Sequence, residues 1–161
     1  MCRELRRRGY AAYDIENMAG LFAFVDKSTG RVATDYGGDD PAWFERHSWT
    51  CNKEKLEKLM LTGHQGPAFY CGVAANLDEL LPLFDRVFLL SADAKTLRKR
   101  LGERRADDFG RGPAIQEWLL GWKGRWEDQM RQRGAAVIDA GRGISEVADE
   151  IVRLATNSKR T

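Results

Sequence analysis

Apolar residues follow two rhythms along the chain. Short unbroken apolar runs read as buried strands, most clearly Val87-Phe-Leu-Leu90, and stretches with helical spacing lie between them. The first eight residues predict a short amphipathic helix, stopped by Gly9. Tyr10 to Asp14 follows as a short strand ending in an acid. Residues 26–41 are rich in Gly, Asp and Ser/Thr, and Asp26-Lys-Ser-Thr-Gly30 reads as a turn between two short extended pieces. Asn52 predicts the cap of a helix over about 53–61, which Gly63 and Gly66 break. Pro67 to Gly72 has strand character, and Asn76 with Glu79 predicts a capping box opening a helix from Leu77 to Phe84.

Beyond Leu90, Asp93 caps a basic helix through Arg105, and Gly110, Gly112 and Pro113 mark a loop. A helix over about 114–133 leads to a strand from Ala135 to Ala140. Gly141-Arg142-Gly143 forms a tight loop, Ser145 caps a last helix to about Ala155, and 157–161 is a loose tail. Strands alternating with helices predict an α/β fold, a parallel sheet with helices on both faces. No repeat, linker or low-complexity tract divides residues 1–161, so one domain is expected.

Composition narrows the function classes. The 161 residues are 43% hydrophobic and 31% charged, ordinary for a folded domain, with 26 basic against 24 acidic residues and a formal charge of +2. That balance gives no electrostatic case for a nucleic-acid or membrane-surface protein, and Arg6-Arg7-Arg8 reads as the wet face of the first helix. No apolar run approaches the roughly 20 residues that span a bilayer, and the basic start has no apolar segment behind it. Cys2, Cys51 and Cys71 are an odd set without a Cys-x-x-Cys pair, which argues against a disulfide framework or zinc site and suits a reducing cytoplasm. His47 and His64, the two histidines, read as structural.

Five patches carry candidate chemistry. Asp14-Ile-Glu16 ends a strand, where one carboxylate can serve a metal and the other a hydroxyl. The plain alternative is a solvated strand end or a helix cap. Phe69-Tyr-Cys-Gly72 ends a strand in glycine, which permits a ligand or merely a turn. Arg100 and Arg104 sit four apart in Arg100-Leu-Gly-Glu-Arg104 and share a face if helical. One guanidinium can stack on a base and the other pair with phosphate; the alternative is a solvated face salted by Glu103, Asp107 and Asp108. Trp118, Trp122 and Trp126 recur every four residues as a core-facing stripe. Trp43 and Trp49 lie in the middle segment and are able to stack on a ring or base.

The joint order of these elements and patches resembles the P-loop kinases of small molecules: adenylate, shikimate, gluconate and nucleoside kinases. The resemblance covers about residues 1–155. It implies ATP and Mg2+ as cofactors and a nucleoside, nucleotide or hydroxylated metabolite as substrate. It gives Asp14 a catalytic role holding magnesium through water, and it gives Glu16, Gly72 and Trp49 contact with substrate. The substrate segment is about 26–62, and a lid over about 100–116 carries Arg100 toward ATP and Arg104 toward the transferred phosphoryl group. Gly141, in the loop after Val137-Ile-Asp-Ala140, borders adenine. Glu16 stands where the shikimate kinases have a second Asp. Trp122 and Lys123 stand near the place of their substrate arginine, so shikimate itself is not expected.

One element of that pattern is absent. Gly-x-x-x-x-Gly-Lys-[Ser/Thr], whose backbone N–H groups cradle phosphates, occurs nowhere in the sequence. In the family this loop runs straight into the helix that opens the chain here. The expectation is therefore a kinase-like domain lacking its first strand and phosphate loop as given, with that element encoded about 15 residues upstream by the family's spacing. A degenerate relative kept for binding or assembly remains open. Efficient phosphoryl transfer by residues 1–161 alone is not expected.

Overall fold

The computed structural model describes residues 1–63, 65–105 and 109–157. His64, residues 106–108 of the predicted lid and the end of the tail lie outside the described residues. The elements run α1 (Cys2–Arg7), β1 (Ala11–Asp14), a 3-10 turn (Ile15–Asn17), β2 (Phe22–Asp26), α2 (Pro41–Arg46), β3 (His47–Cys51), α3 (Lys53–Met60) and β4 (Ala68–Cys71). They continue with α4 (Leu77–Leu80), a second 3-10 turn (Leu81–Leu83), β5 (Phe88–Ser91), α5 (Ala94–Gly102), α6 (Pro113–Gln132), β6 (Ala136–Asp139) and α7 (Ile144–Thr156).

Local chemistry accounts for most boundaries. Gly9, with φ of 85°, closes α1 in the left-handed region that glycine reaches without strain. Asn52 and Asp93 cap as expected, accepting from the N–H groups of Lys55 at 3.0 Å and Thr96 at 2.6 Å. Asn76 does not cap. Its amide is committed to the backbone of Cys51, accepting from N–H at 3.1 Å and donating to the carbonyl at 3.0 Å. The helix it precedes is a single turn, and Pro82 falls in the 3-10 turn that follows. Ser145 is not the cap of α7 either. Gly143 holds that position, with the Glu146 carboxylate accepting its N–H at 3.0 Å, while Ser145 accepts from Arg8.

The Asp26–Gly30 turn joins β2 to a bridge at Val32, the two extended pieces expected, whereas β3 and α2 were not foreseen. β2 and β3 pair antiparallel, Phe24 opposite Trp49, and α2 starts where Asp40 accepts the Ala42 N–H with Pro41 in the first turn. α5 stops at Gly102, short of the expected Arg105. Leu101 is its last buried anchor, and the next residues have no apolar side chain to bury.

The architecture is mixed α/β. The expected parallel strands are present, but as separate ladders: β1 pairs with β4 and β5 with β6, both parallel. Both pairs rest on one shared core. Ala12 and Phe69 of the first pair and Ile138 of the second pack with Leu5 of α1 and Val147, Ala148 and Ile151 of α7. On the opposite face, Tyr13 and Tyr70 meet Leu56 and Leu80, and Leu89 meets Leu77, Leu81 and Met130. All crossover segments therefore lie on one face. A right-handed sense, the usual one for such crossovers, would put β4 and β5 at the adjoining edges of the two pairs. No backbone ladder joins those two edges among the described residues.

A third layer is aromatic. Phe24, Trp43, Phe44 and Phe109 pack with Ile115 and Trp118, so the β2–β3 segment leans on the start of α6. The tryptophan stripe of α6 is a chain of edge-to-face rings, and it links two cores through Trp118 and Trp126. Among the described residues no helix is long and apolar enough to cross a membrane.

Candidate functional site

In parallel α/β structures, ligands gather at the carboxyl ends of strands, where loops and helix starts leave polar groups unpaired. Here β1 ends at Asp14, level with Cys71 of β4. The chain then turns sharply. Glu16 is not on the strand, as its two-residue spacing from Asp14 suggested, but in the 3-10 turn Ile15–Asn17. That turn carries its carboxylate to the end of β4, where Oε1 accepts the Val73 N–H at 2.9 Å. The other oxygen accepts the indole N–H of Trp49 at 3.0 Å.

Three of the residues singled out in the sequence thus meet. Glu16 and Trp49 share a hydrogen bond across 33 positions, and Gly72 lies against the same turn. A Cβ on Gly72 would stand 2.8 Å from Cγ1 of Ile15 and 3.0 Å from Cγ of Glu16. The close approach that this glycine permits is therefore made by the chain's own turn. Trp49 is positioned by stacking on Phe22, centroids 5.2 Å apart, and by Phe24 at 4.5 Å. Trp43, read as a stacking platform, is buried and stacks on His47 at 3.9 Å.

Asp14 stands two residues before Glu16 and accepts from Nδ2 of Asn17 at 2.8 Å. Beside it, burial and a bond to Cys2 push the Cys71 thiol up to about 12, which leaves it protonated and poorly nucleophilic. A single carboxylate suits magnesium held through water, since that ion keeps several waters and takes its other ligands from phosphates. Among the described residues no group of three or more His, Cys, Asp or Glu forms a metal cage.

The remaining predicted residues lie elsewhere. Arg100 is exposed on α5. Arg104 falls beyond the helix, so the two do not form the expected helical pair. Its Nη1 donates to the carbonyl of Phe109 at 2.6 Å. Gly141 donates its N–H to Asp139 at 2.8 Å, in the short loop that leads into α7. The basic run of α1 is also engaged: Arg7 and Arg8 bind Glu4, and Arg8 reaches Asp149 and Ser145 of α7.

Two further residues were not singled out in the sequence. Glu127 is buried in α6 at the carboxyl end of β5, accepting from Ser91 Oγ at 2.7 Å and pairing with Lys123 at 2.6 Å. Burial pushes its carboxyl up, but those donors outweigh burial and hold it below its ordinary value. Its spacing from Lys123 was visible in the sequence; its contact with Ser91 was not. Asp39 accepts two backbone N–H groups from the loop before α6, a relationship with no local sequence signal. A cavity of about 290 Å³ opens at the amino ends of β5 and β6, lined by Phe84, Arg86 and Arg133, away from Asp14 and Glu16. No family model, curated protein or solved structure matches this chain.

Proposed function

We propose that this chain is kinase-like and serves ATP-dependent, magnesium-dependent phosphoryl transfer to a nucleoside, nucleotide or hydroxylated metabolite. The observation that carries this reading is two parallel strand pairs on one shared core, whose edges no ladder joins among the described residues. Such edges accept one further parallel strand. In the kinases that the sequence resembles, that place belongs to the strand leading into the phosphate loop. The meeting of Glu16, Gly72 and Trp49 at the end of β4 supports a substrate site beside it.

In this reading Asp14 holds the metal through water, and Glu16 and Trp49 meet substrate. Arg100 and Gly141 border the nucleotide, and Arg104 meets the transferred group. Residues 1–161 supply no phosphate cradle, so no transfer step is assigned to them alone. ATP, when bound, supplies the phosphoryl group.

The test compares residues 1–161 with a product that also carries the residues encoded in frame upstream. Mg·ATP should raise the melting temperature of the longer product by several degrees and hardly move the shorter, because ligand stabilisation follows occupancy. In an active product, Arg104→Ala should lower turnover about 100-fold while leaving the fold intact. Equal thermal shifts in the two proteins would sink the reading. The second reading, a non-catalytic interaction domain that keeps this fold, would then lead. It is favoured by Glu16, whose two carboxylate oxygens are already engaged within the chain.

A further inference from the structure

The loop entering α6 is held by one side chain from a distant segment. Asp39 Oδ2 accepts the N–H of Gly112 at 2.9 Å, and Oδ1 accepts that of Gly110 at 3.3 Å. The loop is shaped for this carboxylate. Gly110 has φ of 88°, which favours glycine, and a Cβ on Gly112 would meet Asp39 Oδ2 at 2.9 Å. Gly112 is also the N-cap of the 20-residue α6, whose amino end favours a negative charge. No side chain of α6 caps this end; Asp39 supplies the acceptor from 73 residues away.

The contact closes over an aromatic hinge. Phe109 packs edge-on to Phe44 at 4.8 Å, and Phe44 also meets Trp118 at 5.8 Å. The same loop carries two exposed arginines. Arg104 is fastened to the carbonyl of Phe109, and Arg111 lies between the two glycines that bind Asp39. Whatever fixes Gly110 and Gly112 therefore fixes Arg111 between them and the Phe109 carbonyl that holds the Arg104 guanidinium.

We infer that Asp39 is a positioning residue, a latch whose carboxylate holds the 109–112 loop against the 36–44 segment and so sets where Arg104 and Arg111 stand. Releasing that single carboxylate frees the loop at the edge of the aromatic layer, where Phe109 is only partly buried, and leaves the strand cores untouched. The latch itself needs no nucleotide; its value in aiming arginines at a phosphoryl group rests on the kinase reading above.

Limited trypsin digestion of the intact chain, without nucleotide, tests the latch. Cleavage after Arg111 requires the loop to leave its site, and digestion follows the open population when opening is fast. Asp39→Ala should raise the rate after Arg111 about 10-fold or more. Cleavage after Lys55, beside the fully buried Leu56 of α3, serves as the internal measure of global opening. Asp35→Ala, which removes a carboxylate from the Trp43 indole instead, should leave the Arg111 rate unchanged.

If Asp39→Ala does not fold, Gly112→Ala reports the same contact, because its new methyl displaces the carboxylate. The double variant should be cut no faster than the faster single one, since both changes remove one interaction. Unchanged cleavage after Arg111 in the folded Asp39 variant overturns the latch, as does additivity in the double variant. Failure of Mg·ATP binding would bear on the kinase reading and leave this result standing.

Discussion

The indole N–H of Trp49 donates to the Glu16 carboxylate at 3.0 Å, tying the β2–β3 layer to the turn after β1. The indole N–H of Trp122 is also buried, and it has no partner among the described residues. Equal substitutions at the two positions should therefore behave differently. Trp49→Phe keeps the ring's stacking but loses a hydrogen bond to a charged group, and should cost about 1.5–3 kcal/mol. Trp122→Phe removes a donor that gains nothing in the fold, and should fall within about 0.5 kcal/mol of wild type. Urea midpoints decide it; equal losses would mean that ring volume, not the N–H, governs both sites.

Gly72 and Gly121 offer a second contrast. Alanine at 72 pushes its methyl into Ile15 and Glu16, and overpacking of this kind costs about 1–3 kcal/mol. Alanine at 121, inside α6 with nothing within 4 Å of the new atom, should stabilise by about 0.5–1 kcal/mol through helix propensity. Thermal melts of the two variants should move in opposite directions. A tolerant Gly72 would show that the Ile15–Glu16 turn yields easily and does not hold a fixed site.

Asn76→Ala should cost about 2 kcal/mol, far more than loss of a cap on a one-turn helix. Its amide satisfies both the N–H and the carbonyl of Cys51, whose side chain is buried. Asn76→Asp keeps the acceptor but sets a second carboxylate oxygen against the Cys51 carbonyl, so denaturation should place it no better than alanine. A loss below about 0.5 kcal/mol would return Asn76 to the capping role.

Asn76 also shows where local reading ends. Asn52 and Asp93 were legible because a cap binds an N–H three residues on, within the sequence window that proposed it. Asn76 has the same local signature, but its partner lies 25 positions back. The strands flanking β-type apolar runs were legible for the same local reason, whereas β2 and β3 owe their pairing to each other and to the aromatic layer around Phe24. At the site, Asp14 and Glu16 were found as residue types at a strand end. The 3-10 turn that sends Glu16 to Val73 and Trp49 depends on contacts from two other segments. Asp39 and Glu127 act wholly through such distant partners.

Acid should weaken the α1–α7 contact. Hydrogen bonds from Arg7 and then Arg8 hold the Glu4 carboxyl at about 2, below its ordinary 4.5. A carboxyl with a depressed folded pKa stabilises the fold above its unfolded value and loses that contribution as pH falls through the folded one. The Glu4 contribution is therefore present above about pH 4.5 and fades toward pH 2. Arg8→Met should lower stability at pH 7 and shrink the further loss between pH 7 and pH 3. Urea midpoints at the two pH values check this; an undiminished loss in the variant would detach Glu4 from Arg8.

The open edges of β4 and β5 bear on how the molecule comes apart. Order passes between hydrogen-bonded strands residue by residue, whereas between the two pairs it passes through side chains, those on α1 and α7 on one face and those of residues 77–83 on the other. Arg8, bridging Glu4 to Asp149 and Ser145, is the polar pin in that packing. Loosening it weakens the link between the two strand pairs without breaking a single strand hydrogen bond. The cooperativity of unfolding thus resides in the helices beneath the strands, and each pair is free to melt as its own unit once those helices part.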